Sequence, residues 1–378
     1  MSNRLVAALL VVVPAAVLFL FLRVESEAAV AVVLLIATVA VITATRGRVS
    51  AAIGRAAASS ERTMEGVAVA AIAAVALAFH EDDFSLFLLC RALIVFVACL
   101  GLTVQFGYAG VVNFAGASFF GVGAYTAAVL AQVEALPHLI NLILGGAVAA
   151  VGGLLLALPL LRTRGHYAAL ITIAFALLFR TFLEVNDALG GPQGLKLPGF
   201  RLLGWDFNQP VTLGPFEGAL FLNYFAFALL LAVLAFVLVR RLERSWIGLS
   251  LDAVRLDETA ASCFGLKVAR WKIAGFTIGN FIAGVAGAFS AHMVGFIAPN
   301  NYAFGESLVF VSILLLGGLG NPWGVALATA IVVMLPEKLQ IIQEYRYLLY
   351  ASLVILILLF RPAGLLPRPL RRWLRQPA

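Results

Sequence analysis

The 378-residue chain is 63% hydrophobic, 12% charged and carries a formal net charge of +7, whereas a soluble domain carries about 25% charged residues. A soluble core of this size cannot hide so much apolar surface, so the composition excludes a soluble globular protein and predicts an all-α, polytopic membrane protein. Three scattered cysteines (Cys90, Cys99, Cys263) and four separated histidines (His80, His138, His166, His292) show no metal-ligand or redox spacing. No cofactor or metal is expected.

Residues 5–22 contain no charge and lie between Arg4 and Arg23, in the manner of a signal peptide. No convincing small-residue cleavage site follows and a second apolar run begins at Ala28, which favours a retained first span. Residues 1–65 read as an accessory front end: spans at 5–22 and 28–45, then the basic segment Arg46–Arg62, either an amphipathic surface helix or a solvated loop. Residues 66–367 read as the core and 368–378 as a basic tail. Further spans are expected at 65–79, 84–104, 107–133, 138–161, 167–185, 218–239, 273–293, 307–320, 323–341 and 346–360. Those at 307–320 and 346–360 are shorter than the ~20 residues of a straight crossing. The glycines around 317–324 therefore suggest a broken or re-entrant pair within a bundle of about 10–12 spans.

The expected span at 107–133 is interrupted. Gly107 and Gly110 can break a helix, and backbone groups freed in a membrane must be buried in protein or face water. Transporters place their translocation path at broken helices near the midplane. Gln105, Gly107, Tyr108, Gly110, Asn113, Ser118 and Tyr125 are the candidate path residues. The alternative is an interhelical turn whose polar groups bond across helices. Arg180, within the 167–185 span, stands one helical turn from Glu184 and can pair with it. Segment 186–216 holds Gly190, Gly191, Gly194 and several prolines, which rule out a continuous helix. In 273–293 a stripe of small residues, Gly275 and Gly279 and then Gly284 and Gly287, favours close helix packing.

Gly248–Lys272 is a polar island between two apolar runs. Within it Glu258, Ala260 and Ala261 begin a short small-residue helix that Gly265 would end. With Arg255 and Asp257 these residues suit docking into a groove on another protein. Most of the 26 Lys and Arg residues fall on alternate loops, on this island and at the C-terminal end, including Arg368. That bias assigns both termini and the island to the cytoplasm. It also explains the basic charge by topology, with no nucleic-acid partner and with lipid as the surrounding medium.

No GxxxxGK[ST] phosphate loop occurs, nor HExxH or GxSxG. The chain is therefore read as a non-enzyme, and any ATP would bind another polypeptide. No carboxylate falls in the middle of an expected span, which weighs against an ion-coupled secondary carrier.

Several motifs in order carry a family resemblance. They are Gly107–Gly110; Phe119–Thr126; Gly165–Tyr167 with Thr172–Ala176 and Arg180; Gly190–Gly194; the polar island; Gly317–Gly324; and Phe360–Leu366. Over roughly 84–367 the chain resembles the LivM-type permeases of branched-chain amino acid ABC importers. The resemblance implies a permease subunit of a bacterial inner-membrane importer, with the Gly248–Gly265 region docking an ATPase. It implies a second, LivH-like permease, two cytoplasmic ATPases and a periplasmic binding protein as partners. Family members often carry Ser where Asn113 stands and Gly-His where Ala115-Gly116 stand. This leaves open the related solutes of that family, urea and short amides or aromatic acids.

Overall fold

The computed structural model describes residues 3–24, 61–132, 136–163, 166–202, 204–213 and 216–338, then Leu348, Ala351, Ser352, Ile355, Leu359, 364–366 and Arg368. The expected span at 28–45, the segment Arg46–Ser60 and most of the span at 346–360 lie outside the described residues.

The chain is an all-α polytopic membrane protein. Its described helices are α1 (Asn3–Arg23), α2 (Glu61–Ala78), α3 (Asp83–Leu102), α4 (Gly116–Gln132), α5 (His138–Leu161), α6 (His166–Val185), α7 (Phe221–Arg244), α8 (Trp246–Leu256), α9 (Glu258–Cys263), α10 (Val268–Val294), α11 (Phe304–Gly317) and α12 (Pro322–Lys338). Among the described residues five apolar stretches are long enough to cross a membrane: Asp83–Tyr108, His138–Leu161, Tyr167–Val185, Phe221–Arg244 and Val268–Val294. At 1.5 Å per residue, 24 residues reach about 36 Å, against a hydrocarbon core of about 30 Å. Val11–Arg23, Thr63–Ala78 and Pro322–Glu337 are apolar but shorter.

The residues form two compact units. One comprises Met1–Cys90, Gln209–Leu229 and Met334–Glu344. In it α1 packs on α2, with Phe21, Leu22, Met64 and Val75 buried. Asp82 starts α3 by accepting from the Phe84 N–H at 3.0 Å, a donor that a helix start leaves free, and it also accepts from the Ser85 hydroxyl at 2.5 Å. The short hairpin β4 (Val211–Leu213) and β5 (Phe216–Gly218) precedes α7.

The second unit comprises Arg91–Asn208, Leu230–Val333 and Tyr345–Ala378. Its centre is the trio α4, α5 and α10. Glycine makes this packing possible. A methyl group on Gly123 would lie 2.0 Å from the Gly284 carbonyl oxygen, and one on Gly287 would lie 1.8 Å from that of Phe120. In lipid, where apolar burial gives helices no reason to associate, backbone approach of this kind supplies dispersion contact instead. Leu155, Leu170, Leu178 and Phe182 on α5 and α6 are exposed, as apolar residues facing lipid would be. The segment after α6 is held in place by β1 (Leu195–Lys196), which pairs antiparallel with β6 (Phe296–Ile297) beyond α10. It also folds into the small ladder β2 (Arg201–Leu202) with β3 (Trp205–Asp206).

One span boundary differs from expectation. Residues 103–108 do not open the next span. They continue α3 as a π turn, and helix resumes only at Gly116. The π turn keeps the chain helical through Gly107, so the interruption lies between two helices rather than within the span at 107–133.

Candidate functional site

The π turn, Thr103–Tyr108, widens the end of α3. Its last backbone bonds lengthen in register, from the Ala109 N–H to the Val104 carbonyl (3.0 Å) and from the Val111 N–H to that of Gln105 (2.9 Å). Gly110 then takes φ +66°, a conformation that glycine adopts without a Cβ clash, and the chain turns. π turns of this kind concentrate at functional sites. Side chains from three elements serve the backbone freed by the break. Asn113 Oδ1 accepts from the Ala115 N–H (2.9 Å), Thr172 Oγ1 of α6 from that of Phe114 (3.1 Å), and Ser307 Oγ of α11 from that of Ala117 (3.1 Å). In hydrocarbon no water would replace these partners, so freed backbone must be served by protein or face a water-filled path.

Behind the break is a buried network of amides. Gln105 Nε2 donates to the Phe276 carbonyl (3.0 Å) and to Asn280 Oδ1 (2.8 Å) on α10. Asn113 Nδ2 donates to Gln105 Oε1 (2.7 Å) and, more weakly, to Asn280 Oδ1 (3.3 Å). Gly279 leaves room for this network, since a methyl there would lie 2.6 Å from Gln105 Cγ. Ser118 and Tyr125 of α4 and Tyr108 are buried, and their hydroxyls have no hydrogen-bond partner among the described residues. Of the candidate path residues, Gln105, Gly107, Tyr108, Asn113, Ser118 and Tyr125 are buried and Gly110 is exposed.

The polar island folds into α8 and α9. Ser245 caps α8, accepting from the Gly248 N–H. Asp257 caps α9, accepting from the N–H groups of Thr259 (2.9 Å) and Ala260 (3.0 Å). Glu258 pairs with Lys272 at the start of α10 (2.5 Å). At its other end the Leu266 N–H reaches the Ala261 carbonyl (3.1 Å) and the Gly265 N–H that of Ser262 (3.0 Å). Gly265 stands at φ +80°. This paired arrangement closes a helix on a left-handed glycine. Ala261 is buried, while Ala260, Gly265 and Phe264 are exposed, Phe264 to 88%.

The two sets of residues meet. A methyl on Gly110 would lie 2.8 Å from Arg255 Cγ of α8, and one on Gly275 would lie 2.6 Å from the Ala109 Cβ. The first helix of the island thus packs against the break itself. Arg368 closes the junction. Its guanidinium forms a two-pronged bond to Asp252 of α8 (2.7 and 2.8 Å), and its Nε bonds Glu243 of α7 (3.1 Å). It also lies over the Tyr108 ring, 4.4 Å from the centroid. Burial works against this charge, but the Asp252 hydrogen bonds and the charges of Asp252 and Glu243 outweigh it and raise the Arg368 pKa.

The order of motifs predicted a family, and comparison with known proteins decides it. The model of the branched-chain amino acid transport system permease component matches residues 84–359. The chain belongs to that family. It is 34% identical to the high-affinity branched-chain amino acid permease LivM of Salmonella typhimurium over 78% of this chain and 73% of the relative. Its identity to LivM of Escherichia coli is 33% over the same shares. It is also 23% identical to LivH of Salmonella typhimurium, over 71% of this chain and 90% of that one. No solved structure matches it. The branched-chain permease match takes in α3 to α12, so the break, the amide network and the α8–α9 pair all lie within it.

Sequence reasoning singled out Gln105 and Asn113 but missed their partner Asn280, as well as Thr172 and Ser307 as caps. A lone amide in a glycine-rich apolar helix was the available signal for Asn280. Arg368 was counted only as one basic residue of the tail. The Arg180–Glu184 pair is present (2.8 Å), and Arg180 also reaches Asn300 (3.0 Å).

Proposed function

We propose that this chain is the transmembrane permease subunit of an ATP-driven importer for branched-chain or related hydrophobic amino acids. It sits in a bacterial inner membrane with both termini cytoplasmic. A second, LivH-like permease, two cytoplasmic ATPases and a periplasmic binding protein complete the machine. The observation that carries this reading is the packing of α8 directly on the glycine break: Arg255 lies against Gly110, one element away from the Gln105–Asn113–Asn280 network.

The mechanism is alternating access. The α8–α9 pair, with Arg255, Asp257, Glu258, Ala260, Ala261 and Gly265, docks the ATPase, and the exposed Phe264 supplies an apolar contact. The path runs along Gln105, Gly107, Tyr108, Gly110, Asn113, Ser118 and Tyr125. Its amides are bonded to one another, which would be the resting arrangement. Each interhelical hydrogen bond in a membrane contributes about 0.6 kcal/mol, seldom above ~1.7. A network of this size is therefore held by a few kcal/mol, which a partner can reverse by binding the open state preferentially by a similar amount. The unpartnered hydroxyls of Tyr108, Ser118 and Tyr125 offer a polar solute weak bonds as it passes. Weak contact suits a conduit, since a tight site would retain the solute.

Gly265→Trp tests the docking role. The residue has open space around it, but a side chain at φ +80° is strained and would obstruct a groove. The expected outcome is a complex that assembles and hydrolyses ATP while labelled leucine uptake is lost. Normal uptake would refute the role. Competition of that uptake by isoleucine, urea and an aromatic acid identifies the solute class.

A further inference from the structure

Arg368 ties together more elements than one charge in a basic tail requires. Its side chain is 9% exposed and Glu243 is 8% exposed. Asp252 also pairs with Arg255 (3.7 Å), and Glu243 pairs with Arg240. Nη1, which already holds one Asp252 oxygen, also lies 3.4 Å from the Gly107 carbonyl. That carbonyl lies beyond Val104 and Gln105, the acceptors of the last π-turn bonds, so a side chain can reach it. Gly320, in the turn between α11 and α12, completes the pocket. A methyl on it would lie 2.9 Å from Arg368 Cδ and 3.2 Å from the Gly107 oxygen, and one on Gly107 would lie 2.4 Å from Gly320 Cα. Just before Arg368 the backbone is pinned as well: the Leu365 and Leu366 N–H groups bond the Leu316 and Gly317 carbonyls, and Asn321 Nδ2 bonds the Leu366 carbonyl.

We propose that Arg368 is the positioning residue through which movement of α8 reaches the glycine break. The guanidinium holds Asp252 on one side and Gly107 and Tyr108 on the other as one rigid clasp, with Glu243 as its anchor on α7. The planar fork matters as much as the charge, because a lysine is a point charge that cannot bond two carboxylate oxygens and a carbonyl in one plane. A displacement of α8 by a docked ATPase, transmitted through the clasp, carries the π turn with it. Gln105, two residues before Gly107 in that turn, then moves, and with it the Gln105–Asn113–Asn280 network. The inference rests on the ATP-coupled reading above.

The experiment uses the assembled complex in proteoliposomes and reads moles of leucine imported per mole of ATP hydrolysed. For Arg368→Gln this ratio is expected to fall about tenfold, in the upper range for mutations in a coupled network, with the amount of assembled complex unchanged. Arg368→Lys should also fall, though less. Asp252→Asn combined with Arg368→Gln should be no worse than Arg368→Gln alone, since both remove the same link. If Arg368→Gln fails to assemble, Arg368→Lys is read in the same way. An unchanged ratio, or uptake and hydrolysis that fall together in step with the amount of complex, overturns the proposal. Gly265→Trp in parallel separates the two claims. If it uncouples while the Arg368 variants do not, only the clasp is wrong. If it leaves coupling intact, the docking reading itself fails.

Discussion

At the scale of single residues, the balance between bonded and unbonded amides governs the site. Asn113 makes three bonds at once: to Gln105, to Asn280 and to the Ala115 N–H that opens the way to α4. Its replacement by alanine leaves the Ala115 N–H and one Gln105 lone pair unpaired, a loss of about 1–3 kcal/mol if no water enters. Under the path reading, water or solute does enter. Asn113→Ala is therefore expected to leave the amount of complex nearly unchanged and to shift the ranking of solutes in a competition assay. An unchanged ranking together with a reduced amount of complex would assign Asn113 to packing. The residues legible in the sequence were those with local logic. α9 ends at Gly265 through the Gly265 N–H bond to Ser262 and the Leu266 N–H bond to Ala261, and Glu184 pairs with Arg180 one turn away. Asn280 and Arg368 were hidden because their partners lie 175 and 116 to 261 positions away. No pattern in a single chain encodes such separations.

At the scale of elements, the glycine stripe of α10 determines how closely α4 and α5 approach. Not all glycines here are equivalent. Gly123 and Gly152 both lie in helices of the central trio, yet a methyl on Gly123 would strike the Gly284 carbonyl, while one on Gly152 would meet only Phe119 at 3.7 Å. Gly123→Ala is expected to destabilise the detergent-solubilised protein by about 1–3 kcal/mol, the usual cost of overpacking. Gly152→Ala should be neutral or slightly stabilising, since alanine is the better helix former. Thermal unfolding of the two variants side by side provides the comparison, and equal midpoints would contradict the packing described. The small-residue stripe was legible from its spacing. The exact end of α3 was not, because the π turn carries the helix past Gly107, where the sequence alone suggests the break.

At the scale of the molecule, composition was enough to predict an all-α membrane bundle, since apolar surface on this scale has no aqueous solution. The order of motifs was enough to predict the family. How the pieces meet was not available from either source. The α8–α9 pair and the glycine break are far apart in sequence, and only the fold brings Arg255 to Gly110 and Arg368 to Asp252 and Gly107. Under the proposed function the chain is a conduit that holds no fuel of its own and is opened from its polar island. The most direct test is leucine flux in proteoliposomes, comparing this chain alone under an imposed ion gradient with the complete complex supplied with ATP. The account predicts no flux above empty vesicles in the first case and ATP-dependent uptake in the second. Gradient-driven uptake by the chain alone would contradict it.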